Sequence, residues 1–175
     1  MVIFFTVSFS FAARMSLPVL IPVWEVEFKW SRTFLTFGAA LIMIVMGGVA
    51  PYAGHLLDKF GPRYLVSGGT ILSGCCVVFG ASMDSSSLLL SPVWVFIGVY
   101  CVLSAVGYGM VSLPVATATI TREFVENRGL ATSIGTSGVG GGQLLFIPIM
   151  AWAIELAGWR PTLILFGLLI IAMGI

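Results

Sequence analysis

A single arginine stands inside the first apolar run. Between Met1 and Trp24 the only charged residue is Arg14. A guanidinium is a planar fork that matches the two oxygens of a carboxylate. A charge in a membrane-length apolar run is costly and by default suggests function. Two readings stand at this point. Arg14 meets an anionic solute or its path, or it is structural, held by backbone carbonyls or snorkelling to an interface. Gln143 is the next candidate for contact with a solute, because a buried amide needs a hydrogen-bonding partner. Tyr108 follows it, and Tyr52, Ser112 and Thr136 could face the same cavity. No acid stands between Met1 and Trp24, or between Leu88 and Thr121, to neutralise Arg14.

Other chemistries find little support. The single histidine, His55, has no evident nucleophile beside it, and no G-x-S-x-G elbow occurs. No Walker loop is present, so nucleotide-driven action would need another chain. The cysteines, Cys75, Cys76 and Cys101, all lie in apolar stretches and read as small buried hydrophobes. We therefore expect no enzyme activity, no catalytic residue, no metal and no cofactor. A net charge of +1 without a basic cluster also argues against nucleic acid as a partner.

The elements that must position Arg14, Tyr108 and Gln143 are membrane helices. The chain is 59% hydrophobic and only 9% charged, with a mean hydropathy of +1.11. A soluble domain carries about a quarter charged residues. The 21 glycines and 8 prolines would harm soluble helices, but small residues let membrane helices approach closely. A span needs about 20 apolar residues. The charges then divide the chain into helices at residues 1–24, 33–54, 64–83, 92–120, 129–154 and 160–175, the last short enough to be truncated. The fold class is all-α and polytopic, one helical domain over residues 1–175 with the lipid bilayer as its surroundings. These runs are too long, and lack the alternation, for barrel strands.

Within this frame, residues 54–63 form the sharpest local pattern. Gly61-Pro62 marks a tight turn. Gly54 allows close helix approach, and Asp58 can face a helix N-terminus, where negative charge is favoured. Lys59 and Arg63 can pair with acids or sit at headgroups. An ordinary polar connection is the competing reading. Gly135, Gly138 and Gly142 make a small-residue face on the fifth helix, with a GxxxG step suited to packing, or to flexibility in a rocking motion. Gly107 and Gly109 suit packing as well, and Pro114 and Pro148 can bend their helices. Placing the N-terminus and the 54–63 loop inside puts Lys59, Arg63, Arg122 and Arg128 on the cytoplasmic side. Lys29, Arg32 and Arg160 then lie outside, a slight positive-inside bias.

Gly54, Leu56, Asp58, Gly61 and Arg63 resemble the G-x-L-x-D-x-x-G-x-[RK] loop of the major facilitator superfamily. The stretch Phe28-Lys29-Trp30-Ser31-Arg32 resembles the first external loop of its monocarboxylate and oxalate/formate carrier branch. Arg128-Gly129-Leu130-Ala131 and Gly158-Trp159-Arg160 are similar to that branch's entries to helices five and six. Arg14-Met15-Ser16-Leu17-Pro18 is similar to its first helix, which often carries an arginine there.

The resemblance implies the N-terminal six-helix half of a twelve-helix secondary transporter. Substrate would pass between this half and a C-terminal six-helix half by alternating access. The branch implies a small organic anion, a monocarboxylate or related acid, as cargo. The signature loop would be cytoplasmic, with Asp58 as the main contact to the other half and Arg63 supporting it. The implied location is multi-pass in a plasma or bacterial inner membrane. Two other readings stay open: a carrier of another small solute with Arg14 structural, and a non-transporting scaffold or inactive fragment. The intramembrane acid common in proton-coupled members is absent from helices one and four, as is a frequent arginine in helix four. The glycine-rich fifth helix lacks the Gly-Pro pair frequent in antiporters. The coupling mode is left without support.

Overall fold

In a computed structural model the described residues are 11, 13–83, 91–112, 114, 115, 117 and 128–174. They form helices and their connections, with no strand among them. We number the helices α1 (Ser16–Phe28), α2 (Arg32–Phe60), α3 (Pro62–Gly80), α4 (Pro92–Met110), α5 (Arg128–Ala157) and α6 (Trp159–Gly174). Helical residues also precede α1, from Phe11. Among the described residues, α2, α3, α4 and the Thr136–Ala157 part of α5 are long and apolar enough to cross a membrane, and α6 is a shorter apolar helix.

The helix ends differ from the pattern of charges in informative ways. The first helix runs beyond Trp24 to Phe28; Glu25 is exposed, and Glu27 is held by Arg160 and the indole of Trp159. The helix stops where Lys29 takes a left-handed conformation, φ 54°. The helix expected to end at Gly54 continues to Phe60, so Gly54 and Asp58 are helical rather than part of a loop. Polar residues at a membrane surface do not break a helix; Gly61 does, at φ 81° and ψ 164°. Pro62 then opens α3 at a position where its missing N–H costs nothing. The helix expected over 92–120 ends at Met110. Pro114 lacks a donor, and its ring would meet the carbonyl four residues back, that of Met110. Val95–Leu103 within α4 is π-helical, an insertion often found at functional places. The fifth helix extends to Ala157 and closes on Gly158, φ 88°, whose N–H donates to the Ile154 carbonyl at 2.9 Å. Residues 1–10 of the first expected helix, most of 113–127 including Arg122, and Ile175 lie outside the described residues.

The conformation at Gly61 is one that only glycine adopts without strain, at a cost of about 1–3 kcal/mol for other residues. Among the described residues no atom from beyond the local backbone lies within 4 Å of where a Cβ would be at Gly61 or Gly54, so backbone conformation separates the two. Gly61→Ala is expected to lower the thermal stability of the purified protein. Gly54→Ala, in helical backbone, is expected to leave it unchanged or slightly raised. Equal melting temperatures for the two variants would contradict this account of the turn.

α3 is the hub of the bundle, packing on both α4 and α6, while α2 packs on α4 and α5 on α6. Glycines make the α3 contacts possible. A Cβ on Gly69 would lie 2.9 Å from the Gly107 carbonyl oxygen, and one on Gly107 would lie 2.8 Å from that of Gly69. The α3–α6 contact repeats this, with Gly74 against the Gly167 carbonyl at 2.9 Å. Close backbone approach of this kind is the main route to tight helix packing in lipid.

Aromatic side chains close one end of the bundle. Trp24 and Trp159 stand near helix ends, where interfacial anchors sit, yet both are buried. Trp24 meets Phe96, Tyr100 and Trp159 edge-on, with ring centroids 5.7, 5.2 and 5.9 Å away. Trp30 stacks on Phe28 at 4.8 Å and tilts against Phe96 at 5.4 Å. Edge-to-face pairs contribute roughly 0.5–1.5 kcal/mol beyond their burial. The cluster thus joins α1, the α1–α2 link, α4 and α6. Trp94 and Trp152 are exposed, as anchors would be. At the α2–α3 turn a separate small cluster, Ala53, Leu57, Leu65 and Val115, fills the space between helix ends.

Candidate functional site

Arg14 sits in the helical turn that precedes α1, where the Met15 N–H donates to the Phe11 carbonyl at 3.3 Å. Its side chain is half-buried. It reaches across to α2, with Nη1 3.8 Å from the Met46 sulfur. The guanidinium carbon lies 5.7 Å from the centroid of the Phe11 ring. Phe11, Arg14, Met46, Tyr108 and Val111 line one small, shallow cleft that is open on one side and encloses about 10 Å³, room for roughly one water molecule. Among the described residues Arg14 forms no ion pair; the ion pairs between them join Arg32 to Glu25 and Arg160 to Glu27.

Tyr108 comes from α4 and is buried. Its neighbourhood is ordered by a second tyrosine. The Tyr100 hydroxyl and Ser16 Oγ are hydrogen-bonded at 2.6 Å in the buried α1–α4 contact. Ser16 is two residues from Arg14, so this bond fixes the rotation of α1 that aims Arg14 at the cleft. Ser104 donates back to the Tyr100 carbonyl. The cleft therefore combines one guanidinium, one phenol and three apolar side chains. A group with a single negative charge and a small apolar body suits that chemistry.

The remaining candidates are placed elsewhere. Gln143 is half-buried on α5 and does not line this cleft. Tyr52 is exposed, and Thr136 Oγ1 donates to the Thr132 carbonyl of its own helix at 2.8 Å. Ser112 is buried, and its Oγ has no hydrogen-bonding partner among the described residues. Gly138 and Gly142 are buried on α5, and the surroundings of Gly135 lie outside the described side chains. Gly54, Asp58, Gly61 and Arg63 gather at the α2–α3 turn. Asp58 lies in the last turn of α2 and Arg63 in the first turn of α3, both exposed. Met46 and Asp58 share α2, so the turn stands roughly 18 Å from the cleft along the helix axis.

Two features escaped the sequence reading. Met46 is an apolar residue in an apolar run, and only the pairing of α2 with α1 and α4 gives it a place beside Arg14. Arg160 pairs with Glu27 at 3.1 Å and donates to the Met83 carbonyl at 3.2 Å. Its guanidinium also lies 4.8 Å from the Trp159 ring centroid, and Trp159 Nε1 donates to Glu27. These contacts clip α6 to the end of α1. The opposite charges at neighbouring helix ends were visible in the sequence, but their pairing across the bundle was not.

Comparison with known proteins places the chain in a family. Residues 3–175 match the Major Facilitator Superfamily. The chain is 28% identical to monocarboxylate transporter 11 of Mus musculus, over 90% of this chain and 34% of the relative. It is 31% identical to the oxalate:formate antiporter of Oxalobacter formigenes, over 77% of this chain and 31% of the relative. Identity to the fujikurins efflux protein of Gibberella fujikuroi is 31%, over 83% of this chain and 30% of the relative. The chain thus spans about a third of the length of these curated relatives. Its helices form an all-α, multi-pass membrane unit that corresponds to the N-terminal part of such proteins, and the chain belongs to the major facilitator superfamily.

Proposed function

We propose that this unit is one half of a secondary carrier for a small organic anion, most simply a monocarboxylate, and that Arg14 receives the carboxylate. The observation that carries the proposal is Arg14 itself, half-buried in a cleft with Tyr108 and without an ion-pair partner among the described residues. A guanidinium so placed offers a paired-donor fork to a planar anion. Monocarboxylate and oxalate:formate carriers among the relatives support the same cargo class. A second six-helix half would supply the opposite wall, because binding sites in such carriers lie between halves near the membrane midplane. The span of this chain against its relatives supports that partner. No catalysis, cofactor or metal enters this reading.

The test is uptake by the intact parent protein in proteoliposomes, with a panel of monocarboxylates, dicarboxylates, amino acids and sugars. Saturable uptake of a monocarboxylate, inhibited by others of its class, is the expected result. Saturable sugar or amino-acid uptake that carboxylates do not inhibit would overturn the cargo class.

For Gln143 we propose a solute contact that forms only when the second half closes the cavity. For Gly54, Asp58, Gly61 and Arg63 we propose a cytoplasmic switch region that contacts the other half, and for Gly135, Gly138 and Gly142 a packing face. The same orientation places the N-terminus inside. It predicts that a cysteine replacing Lys59, which is exposed at the end of α2, is labelled by an impermeant thiol reagent only after the cells are opened. Labelling in intact cells would reverse the orientation.

A further inference from the structure

Met46 touches Arg14 across a helix interface, and no functional role has yet been given to it. Its position is not incidental. α2 can approach α4 because position 109 is glycine: a Cβ there would lie 2.8 Å from Val49 Cγ1 and 3.5 Å from the Met46 carbonyl oxygen. That approach sets Met46 opposite Tyr108, the residue preceding Gly109, and both line the cleft with Arg14. The thioether lies 3.8 Å from Arg14 Nη1, where an incoming carboxylate would also have to lie. A methionine is unbranched and adapts its shape at low cost, so it can yield that place and remain against the body of the ligand. Phe11 and Val111 extend the same apolar lining.

We propose that Met46 is a specificity-determining residue, an adaptable apolar wall that selects among carboxylates by the length of their hydrocarbon body. The inference rests on the carboxylate role of Arg14 proposed above. Each buried methylene strengthens binding by about fourfold. Acetate, propionate and butyrate differ by one methylene each and share the same charge, so their comparison isolates the wall from the guanidinium.

The experiment uses the full-length parent protein in proteoliposomes and measures inhibition of labelled monocarboxylate uptake by acetate, propionate, butyrate and hexanoate. The unaltered protein is expected to bind butyrate roughly fifteenfold more tightly than acetate. Met46→Gln should reduce that ratio to about twofold by weakening butyrate inhibition far more than acetate inhibition, and Met46→Leu should restore it. Met46→Ala enlarges the cleft and should move the optimum toward hexanoate, a gain that misfolding cannot produce. An unaltered protein that does not discriminate by chain length would overturn the proposal. So would a ratio that survives Met46→Gln, or an equal loss of acetate and butyrate in that variant. Arg14→Gln, run beside them, separates the two claims. If it leaves inhibition by every acid intact, the carboxylate reading fails. If it abolishes inhibition while Met46→Gln keeps the chain-length ratio, only the role of Met46 fails.

Discussion

Gly107→Val is expected to remove most of the correctly folded protein from the membrane. A Cβ at this position would lie 2.8 Å from the Gly69 carbonyl oxygen and 2.9 Å from the Ser73 nitrogen. Both are backbone atoms and cannot swing aside as a side-chain tip would. α3 and α4 would have to separate, and α3 is the helix on which both α4 and α6 pack. Overpacking costs about 1–3 kcal/mol where neighbours can adjust, and a backbone clash at a hub should reach or exceed the upper end. Gly74→Val is expected to do the same at the α3–α6 contact, where the Gly167 carbonyl lies 2.9 Å from the new Cβ. Gly140→Ala provides the control, since among the described residues no atom from beyond the local backbone lies within 4 Å of a Cβ there. Heating the fluorescently tagged proteins in detergent and measuring the monodisperse fraction by size exclusion checks the set. A Gly107→Val protein as stable as Gly140→Ala would refute the close α3–α4 approach.

Replacing Arg14 should cost the most function for the least stability. Hydrogen bonds to charged groups contribute about 1.5–3 kcal/mol, so Arg14→Gln is expected to weaken anion uptake roughly ten- to a hundredfold. Arg14 contributes little to the packing described, since its contacts are the Met46 sulfur and the face of Phe11. Membrane abundance should therefore hold, and removing a charge from an apolar setting can even favour insertion. Arg14→Lys keeps the charge but loses the planar fork, so it should restore uptake only in part. A Gln variant that fails to accumulate at all would favour a structural arginine.

The sequence disclosed what rested on single conspicuous residues. Arg14 stood out because a lone charge in an apolar run has few harmless explanations, and the structure sets it beside Tyr108 in one cleft. Gln143 stood out because a buried amide needs a partner, yet its helix contacts α1 and α6 without bringing it to that cleft. Met46 could not be found at all, because a methionine among Ile44, Val45 and Gly47 carries no distinguishing pattern until two helices are paired. Glycines divided in the same way. The periodic Gly138 and Gly142 were legible within one helix. Gly69 with Gly107, and Gly74 with Gly167, became pairs only when the order of helices around α3 was known. Helix ends were misjudged where charge was taken as a stop. Backbone chemistry set the ends instead, through the positive φ of Gly61 and Gly158 and the ring of Pro114.

Equilibrium binding of a labelled short-chain monocarboxylate to the purified parent protein tests the central claim most directly, because it needs neither coupling nor turnover. The unaltered protein should bind saturably, and unlabelled monocarboxylates should compete. Arg14→Gln, folded and at equal concentration, should bind at least about tenfold more weakly, with Arg14→Lys between the two. Equal affinity of the unaltered and Arg14→Gln proteins for the anion would contradict the account.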